Sequence, residues 1–264
     1  MVAATTKSSQ TLPKAKTPPR NEAGLNQVCQ TTDMPPCNKD GLKLLREQKN
    51  RYTLIFLLCS ISALGFSLAG YLLGLLAMGG SYSAADNTAK YARLEKVLTL
   101  LLDKFEKSHI QAFPVLTMQE QGEYEYIDLY VRFPKGQVFI ETRSLGNGAV
   151  VYNEAKETLY LKRGKKGLSK VLPCPLSGLN ESKKWLSKNR QKFGLSSRQA
   201  TKDPTVKVLV MWGETQISNH RDYLYTQVGE RKYLMLSKRG STTFVVQQEE
   251  LAMFISDWLS QCRN

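Results

Sequence analysis

Asp128, Glu141 and Arg143 are the side chains best placed to do chemistry together. They fall in two alternating segments, Tyr126-Ile127-Asp128-Leu129-Tyr130-Val131-Arg132 and Gln137-Val138-Phe139-Ile140-Glu141-Thr142-Arg143, joined through Pro134-Lys135-Gly136. Apolar and polar residues alternate with the period of a strand, so the pair reads as a β-hairpin. With Lys135 and Gly136 as the turn, Pro134 faces Gln137 and Asp128 stands opposite Arg143, with Glu141 two positions along on the same face. Two carboxylates and a cation then converge. Such a set suits Mg²⁺, which takes one or two carboxylates and fills its shell with water and substrate phosphate. It suits a plain salt bridge as well.

The surrounding periodicities supply the elements that would hold this pair. From Thr88 to Ser108 the apolar residues Tyr91, Leu94, Val97, Leu98, Leu101, Leu102 and Phe105 recur at three and four, the pattern of an amphipathic helix lying on a sheet. Strands are expected at 124–133, 137–144, 149–153 and 158–162, and a helix from about Glu181 to Lys192. Val206 to Trp212 reads as a buried strand, Tyr233–Ser237 and Thr242–Val246 as edge strands, and Glu249 to Ser260 as a closing helix. No internal repeat is present, and the length suits one α/β domain over residues 88–264.

The hairpin, its Asp and its Glu-x-Arg resemble the Asp…Glu-x-Lys pattern of the restriction-endonuclease-like superfamily, and more closely its nuclease-related (NERD) branch. The order of elements is similar: a preceding helix, a Gly-rich second hairpin from Gly146 to Lys162, a Pro173-Cys174-Pro175 turn into a helix, a hydrophobic strand and a terminal helix. The resemblance covers roughly Thr88 to Leu259. It implies a mixed sheet flanked by helices, Asp128 and Glu141 as metal ligands for Mg²⁺, and Asp128, Glu141 and Arg143 as the catalytic set. This chain departs from the pattern twice. Arg143 stands where the family has lysine, keeping the charge but replacing a compact ammonium with a broad fork. Gly178 stands where the family's helix offers glutamine. Glu95 is a loose match to an early-helix glutamate of the family, and a solvated helix face explains it too.

The uncharged run from Tyr52 to Gly80 is long enough to span a bilayer as one helix. About fifty polar residues precede it, unlike a cleaved signal peptide. Gly70 and Gly74 form a Gly-x-x-x-Gly pair through which two such helices could self-associate. Lys39, Lys43, Arg46, Lys49 and Arg51 crowd its amino-terminal flank, so the positive-inside rule predicts a single-pass membrane protein with a cytoplasmic amino terminus and the folded domain beyond the membrane. A nucleic-acid enzyme would more naturally face inward. The expected organisation is a disordered basic tail over residues 1–51, with an interfacial helix from Asp40 to Arg51, a transmembrane helix over 52–80, a linker over 81–87 and then the α/β domain.

The chain carries 37 Lys and Arg against 23 Asp and Glu, a net charge of +14. Between Lys162 and Lys202 the cations include Lys162, Arg163, Lys165, Lys166, Lys183 and Lys184, against the single acid Glu181. Such a stretch suits phosphate contact with nucleic acid or with anionic lipid headgroups, and a solvated basic face fits equally. No Cys-x-x-Cys pair exists, which excludes a zinc ribbon, and Cys174 and Cys262 read as ordinary thiols. No hydrolase triad or nucleotide-binding fingerprint is present, and His220 reads as a loop residue. The expected function is a membrane-anchored nuclease-related domain with impaired catalysis, acting as a binding or assembly module. The alternatives are an active Mg-dependent nuclease cleaving phosphodiesters and an unrelated membrane-tethered α/β interaction protein.

Overall fold

The computed structural model describes residues 34–65, 71–120, 123–164 and 167–262. The expected disordered tail up to residue 33, Gly70 of the glycine pair, and Lys165 and Lys166 of the basic stretch lie outside them. The fold is α/β, with two sheets flanked by helices.

A seven-stranded mixed sheet forms the centre, in the order β1-β2-β3-β7-β11-β10-β9. Strands β1 (Gln111–Glu120), β2 (Glu123–Phe133) and β3 (Gly136–Arg143) form an antiparallel meander. Strand β7 (Thr205–Met211) lies parallel to β3, and β11 (Ser241–Gln247) parallel to β7. Strands β10 (Arg231–Lys238) and β9 (Tyr225–Val228) complete the far side antiparallel. A smaller sheet, in the order β6-β5-β4-β8, holds β4 (Gly148–Asn153), β5 (Thr158–Lys162), β6 (Leu168–Lys170) and β8 (Thr215–Ile217).

The central sheet has an apolar core on each face. On one, helices α2 (Tyr71–Lys104) and α5 (Leu251–Gln261) bury Leu94, Leu98, Leu101, Phe254 and Ile255 against Leu129, Val138, Ile140 and Val208. On the other, helix α3 (Pro175–Asn189) and the smaller sheet enclose Tyr130, Phe139, Leu209, Trp185 and Leu159. A short helix α4 (Ser197–Lys202), closed by a Ser196/Gln199 capping box, leads into β7.

Among the described residues, the segments before the α/β domain are arranged differently from the expectation. The uncharged run is not one helix. Helix α1 (Asn38–Gly65) and α2 take it up in two pieces packed antiparallel, with Arg46 and Lys49 bonded to Glu95, and Tyr52 stacked on Tyr91 at 5.6 Å. No helix among the described residues is long and apolar enough to cross a membrane. The expected linker over 81–87 lies inside α2, and the expected interfacial helix is the first part of α1. Cys37, expected in the disordered tail, is buried and takes part in a disulfide, whereas Cys174 and Cys262 are free thiols as expected.

Strand β1 was not anticipated and α3 begins earlier than anticipated. Pro114 breaks the strand pattern in sequence, yet β1 pairs only with β2, and an edge strand tolerates a residue that cannot donate to a ladder. Pro175 occupies the first turn of α3, where a missing N–H costs nothing.

Candidate functional site

The β2–β3 register differs by two residues from the expected one. Phe133 pairs with Gly136 and Leu129 with Ile140, so the turn is Pro134-Lys135. Proline supplies the fixed φ that the first turn position wants, and Gly136 must remain in the strand because the Trp258 ring packs on it. A Cβ at Gly136 would lie 2.6 Å from Trp258 Cη2. Continuing the register by one step aligns Asp128 with Glu141 rather than with Arg143.

Alternation in β2 breaks at Asp128. Ile127 and Tyr130, three residues apart, both join the core beneath α3, whereas a strictly alternating strand would send them to opposite faces. In β1 the pairs Pro114–Leu129 and Leu116–Ile127 flank Val115, which takes a left-handed φ of 53°. For a β-branched residue this conformation is strained, and such strain persists only where surrounding packing over-determines it. The offset turns Asp128 toward the α2 layer.

There Asp128 is 3 % exposed and both its oxygens are engaged. Oδ1 pairs with Lys90 Nζ at 2.8 Å, and Oδ2 accepts from the Thr142 backbone N–H at 2.8 Å and from Thr142 Oγ1 at 3.0 Å. Along β3, Phe139 and Glu141 share one face while Ile140 and Thr142 share the other. Glu141, 5 % exposed, therefore does not join Asp128 on Thr142's face; its Oε1 is forked by the Arg143 guanidinium, with Nε at 2.9 Å. Burial is the main force on Glu141 and pushes its carboxyl up to about 8, opposed by Arg143 and reinforced by the Asp128 charge. Arg93, one turn along α2 from Lys90, also belongs to this cluster. Burial lowers its pKa, Asp86 and Asp128 act to raise it, and its Nε is buried with no hydrogen-bond partner.

The three predicted residues thus meet at one end of the central sheet, each carboxylate against a cation. With Asp128 bonded by Lys90 and Thr142, and Glu141 forked by a guanidinium, the oxygens that a shared Mg²⁺ would take are engaged by the protein's own donors. Among the described residues no group of three or more His, Cys, Asp or Glu is arranged to hold a metal ion. Lys90, Arg93 and Thr142 were missed from sequence. The available signal was that Lys90 and Arg93 stand three apart on the helix before the strand pair, where they look like ordinary solvated cations.

The remaining candidates lie elsewhere. Glu95 lies between α1 and α2, held by Lys49 at 2.6 Å and Arg46 at 2.7 Å, and those bonds lower its pKa. Lys162 ends β5 and Arg163 follows it, donating to the Leu145 carbonyl, whereas Lys183 and Lys184 sit on α3. The basic stretch is thus divided between the smaller sheet and a helix. His220 accepts from the Tyr152 backbone N–H at 3.0 Å and buries its Nδ1, which makes it a tether for β4.

No known family profile matches this chain, and neither does any curated protein or solved structure.

Proposed function

We propose that this protein is a membrane-anchored, nuclease-related module in which ion pairing has replaced metal chemistry, and that it acts by binding rather than by cleaving. One observation carries the reading: the carboxylates that would hold Mg²⁺ are already taken, Asp128 by Lys90 and Thr142, Glu141 by Arg143. The order of elements supports the relationship. Helix α2, the β1–β2–β3 meander, the β4–β5 hairpin, the proline turn into α3 and strand β7 parallel to β3 follow one another as the resemblance requires. The binding capacity is assigned to the basic residues of β5 and α3, whose partner is a polyanion, nucleic acid or anionic headgroups, held through counterion release.

The test uses the full chain purified in detergent. Plasmid, linear and single-stranded DNA and RNA should all remain intact with Mg²⁺ or Mn²⁺, and millimolar metal should leave the Tm unchanged, since a ligand stabilises only a folded state that binds it. Binding to nucleic acid or anionic vesicles should weaken steeply as salt rises. Metal-dependent cleavage by the wild-type chain, abolished in Glu141→Ala, would overturn the reading.

A further inference from the structure

Strands β7 and β11 run parallel, but their ladder begins only where Phe244 meets Val208. Before that pair β7 is held by β3, from Thr205 opposite Gln137, and β11 is held by β10 through the turn at Arg239-Gly240, both left-handed as a two-residue hairpin turn requires. The two strands therefore diverge at their starts. The wedge between them is a pocket of about 280 Å³ with Lys207, Ser241 and Thr242 in its lining, together with Lys183 from α3 and Trp258 from α5.

Two ammonium groups face this wedge without a counter-charge of their own. Lys207 Nζ donates to the Asn180 carbonyl at 3.0 Å and to Ser241 Oγ, which engages two of its three hydrogens with neutral acceptors. Ser241, accepting there, keeps its own O–H to donate. Lys183 stands one turn along α3 from Asn180. Among the described residues neither lysine forms an ion pair. Glu181 is near enough to act on Lys207, but its carboxylate is paired with Lys184 at 3.7 Å. Burial is the main force on Lys207 and lowers its pKa, opposed by Glu181 and reinforced by Lys183. A part-buried ammonium bonded only to neutral oxygens has desolvation left to offset, and an anion does so best.

We propose that the wedge binds a phosphate monoester, its terminal group seated between Lys207 and Lys183 and accepting from the Ser241 and Thr242 hydroxyls. Such a group carries a charge of about −1.5 to −2 at neutral pH, which matches two ammonium groups, whereas a nucleic-acid diester carries one and would leave a lysine uncompensated. This rests on the anion binding proposed above, since Lys183 belongs to the basic residues of α3, and narrows it to one class of group.

The test is calorimetric titration and thermal unfolding of the full chain with inorganic phosphate and with glycerol 3-phosphate, against chloride at equal ionic strength. Both should bind and raise the Tm, as a ligand of the folded state does. Lys207→Met and Lys183→Met should each weaken binding by at least about tenfold, the worth of a lost charge-assisted hydrogen bond. Lys183 forms no ion pair among the described residues, so its variant should melt as wild type in chloride, which separates a lost ligand contact from a lost structural tie. Stronger flotation with phosphatidic acid than with phosphatidylglycerol vesicles, lost in Lys183→Met, identifies the group as a lipid headgroup; equal flotation alongside phosphate binding identifies a free phosphate ester. Neither phosphate binding nor a phosphatidic acid preference, or binding that neither variant weakens, overturns the pocket, while salt-sensitive binding to nucleic acid or vesicles would leave the broader polyanion binding intact. Lysine-dependent phosphate binding with no affinity for nucleic acid or vesicles upholds the pocket and overturns the polyanion binding.

Discussion

Replacing Lys90 with methionine tests the ion-pair site most directly. The substitution keeps the apolar stem and removes the ammonium 2.8 Å from Asp128 Oδ1, while Oδ2 keeps both bonds from Thr142. Breaking a buried pair by removing one partner costs about 3–5 kcal/mol, because a charge is left uncompensated. The lysine side chain is 31 % exposed, so water can reach the bared oxygen, and the loss should fall between the buried and exposed limits at about 2 kcal/mol. For a domain of this size each kcal/mol moves the Tm by about 2–4 °C, so a drop of about 4–8 °C is expected by circular dichroism on the full chain. Adding Asp128→Asn removes the orphaned charge and should recover part of that loss, with a coupling energy of about 1–2 kcal/mol across the cycle. A single variant within about 0.5 kcal/mol of wild type, or a loss that neutralising Asp128 does not relieve, would refute the pairing.

The pH dependence of stability should carry the signature of Glu141. Its carboxyl is raised to about 8 from 4.5, so between those values the folded state binds more protons than the unfolded state, and stability falls as pH rises through the window. Glu141→Gln should flatten that part of the Tm profile, and an unaltered slope would show that Glu141 ionises at its ordinary pH. Gly136→Ala should lower the denaturant midpoint by the equivalent of about 1–3 kcal/mol, since the new methyl would lie 2.6 Å from Trp258 Cη2 and must displace the ring. A neutral effect would mean that Trp258 does not hold the hairpin turn.

The elements with strong periodicity were legible. The 3.6-residue stripe of α2 and the near-continuous apolar run of β7 both form where their patterns place them. The register was misjudged because a turn through Lys135-Gly136 and one through Pro134-Lys135 preserve the same parity. Both leave the hydrophobic pattern intact, and what favours the observed one is Pro134 at the first turn position and Trp258, far along the chain, packed on Gly136. The offset at Asp128 was not legible at all. It depends on Val115, a β-branched residue, adopting a conformation against its local preference, and no local rule anticipates that. The division of the uncharged run was hidden for a related reason. Composition establishes that a segment is apolar, whereas the decision to fold back rests on Arg46 and Lys49 finding Glu95, 49 and 46 residues later, and on Tyr52 finding Tyr91.

A metal-using carboxylate pair and an ion-paired one place opposite demands on their surroundings. To attract Mg²⁺, the local charge before the ion arrives must be negative. Here Lys90, Arg93 and Arg143 supply three positive charges against the three carboxylates Asp86, Asp128 and Glu141, so the cluster carries no negative excess. Burial raises the proton affinity of Glu141, which shifts the balance further from negative. In a partly desolvated site such compensation acts over several ångströms and leaves little to draw in a divalent cation. The exchange of lysine for arginine at position 143 is therefore the smaller part of the change. Two cations on α2, a helix whose apolar face already commits it to this side of the sheet, cancel the negative charge that a metal would need.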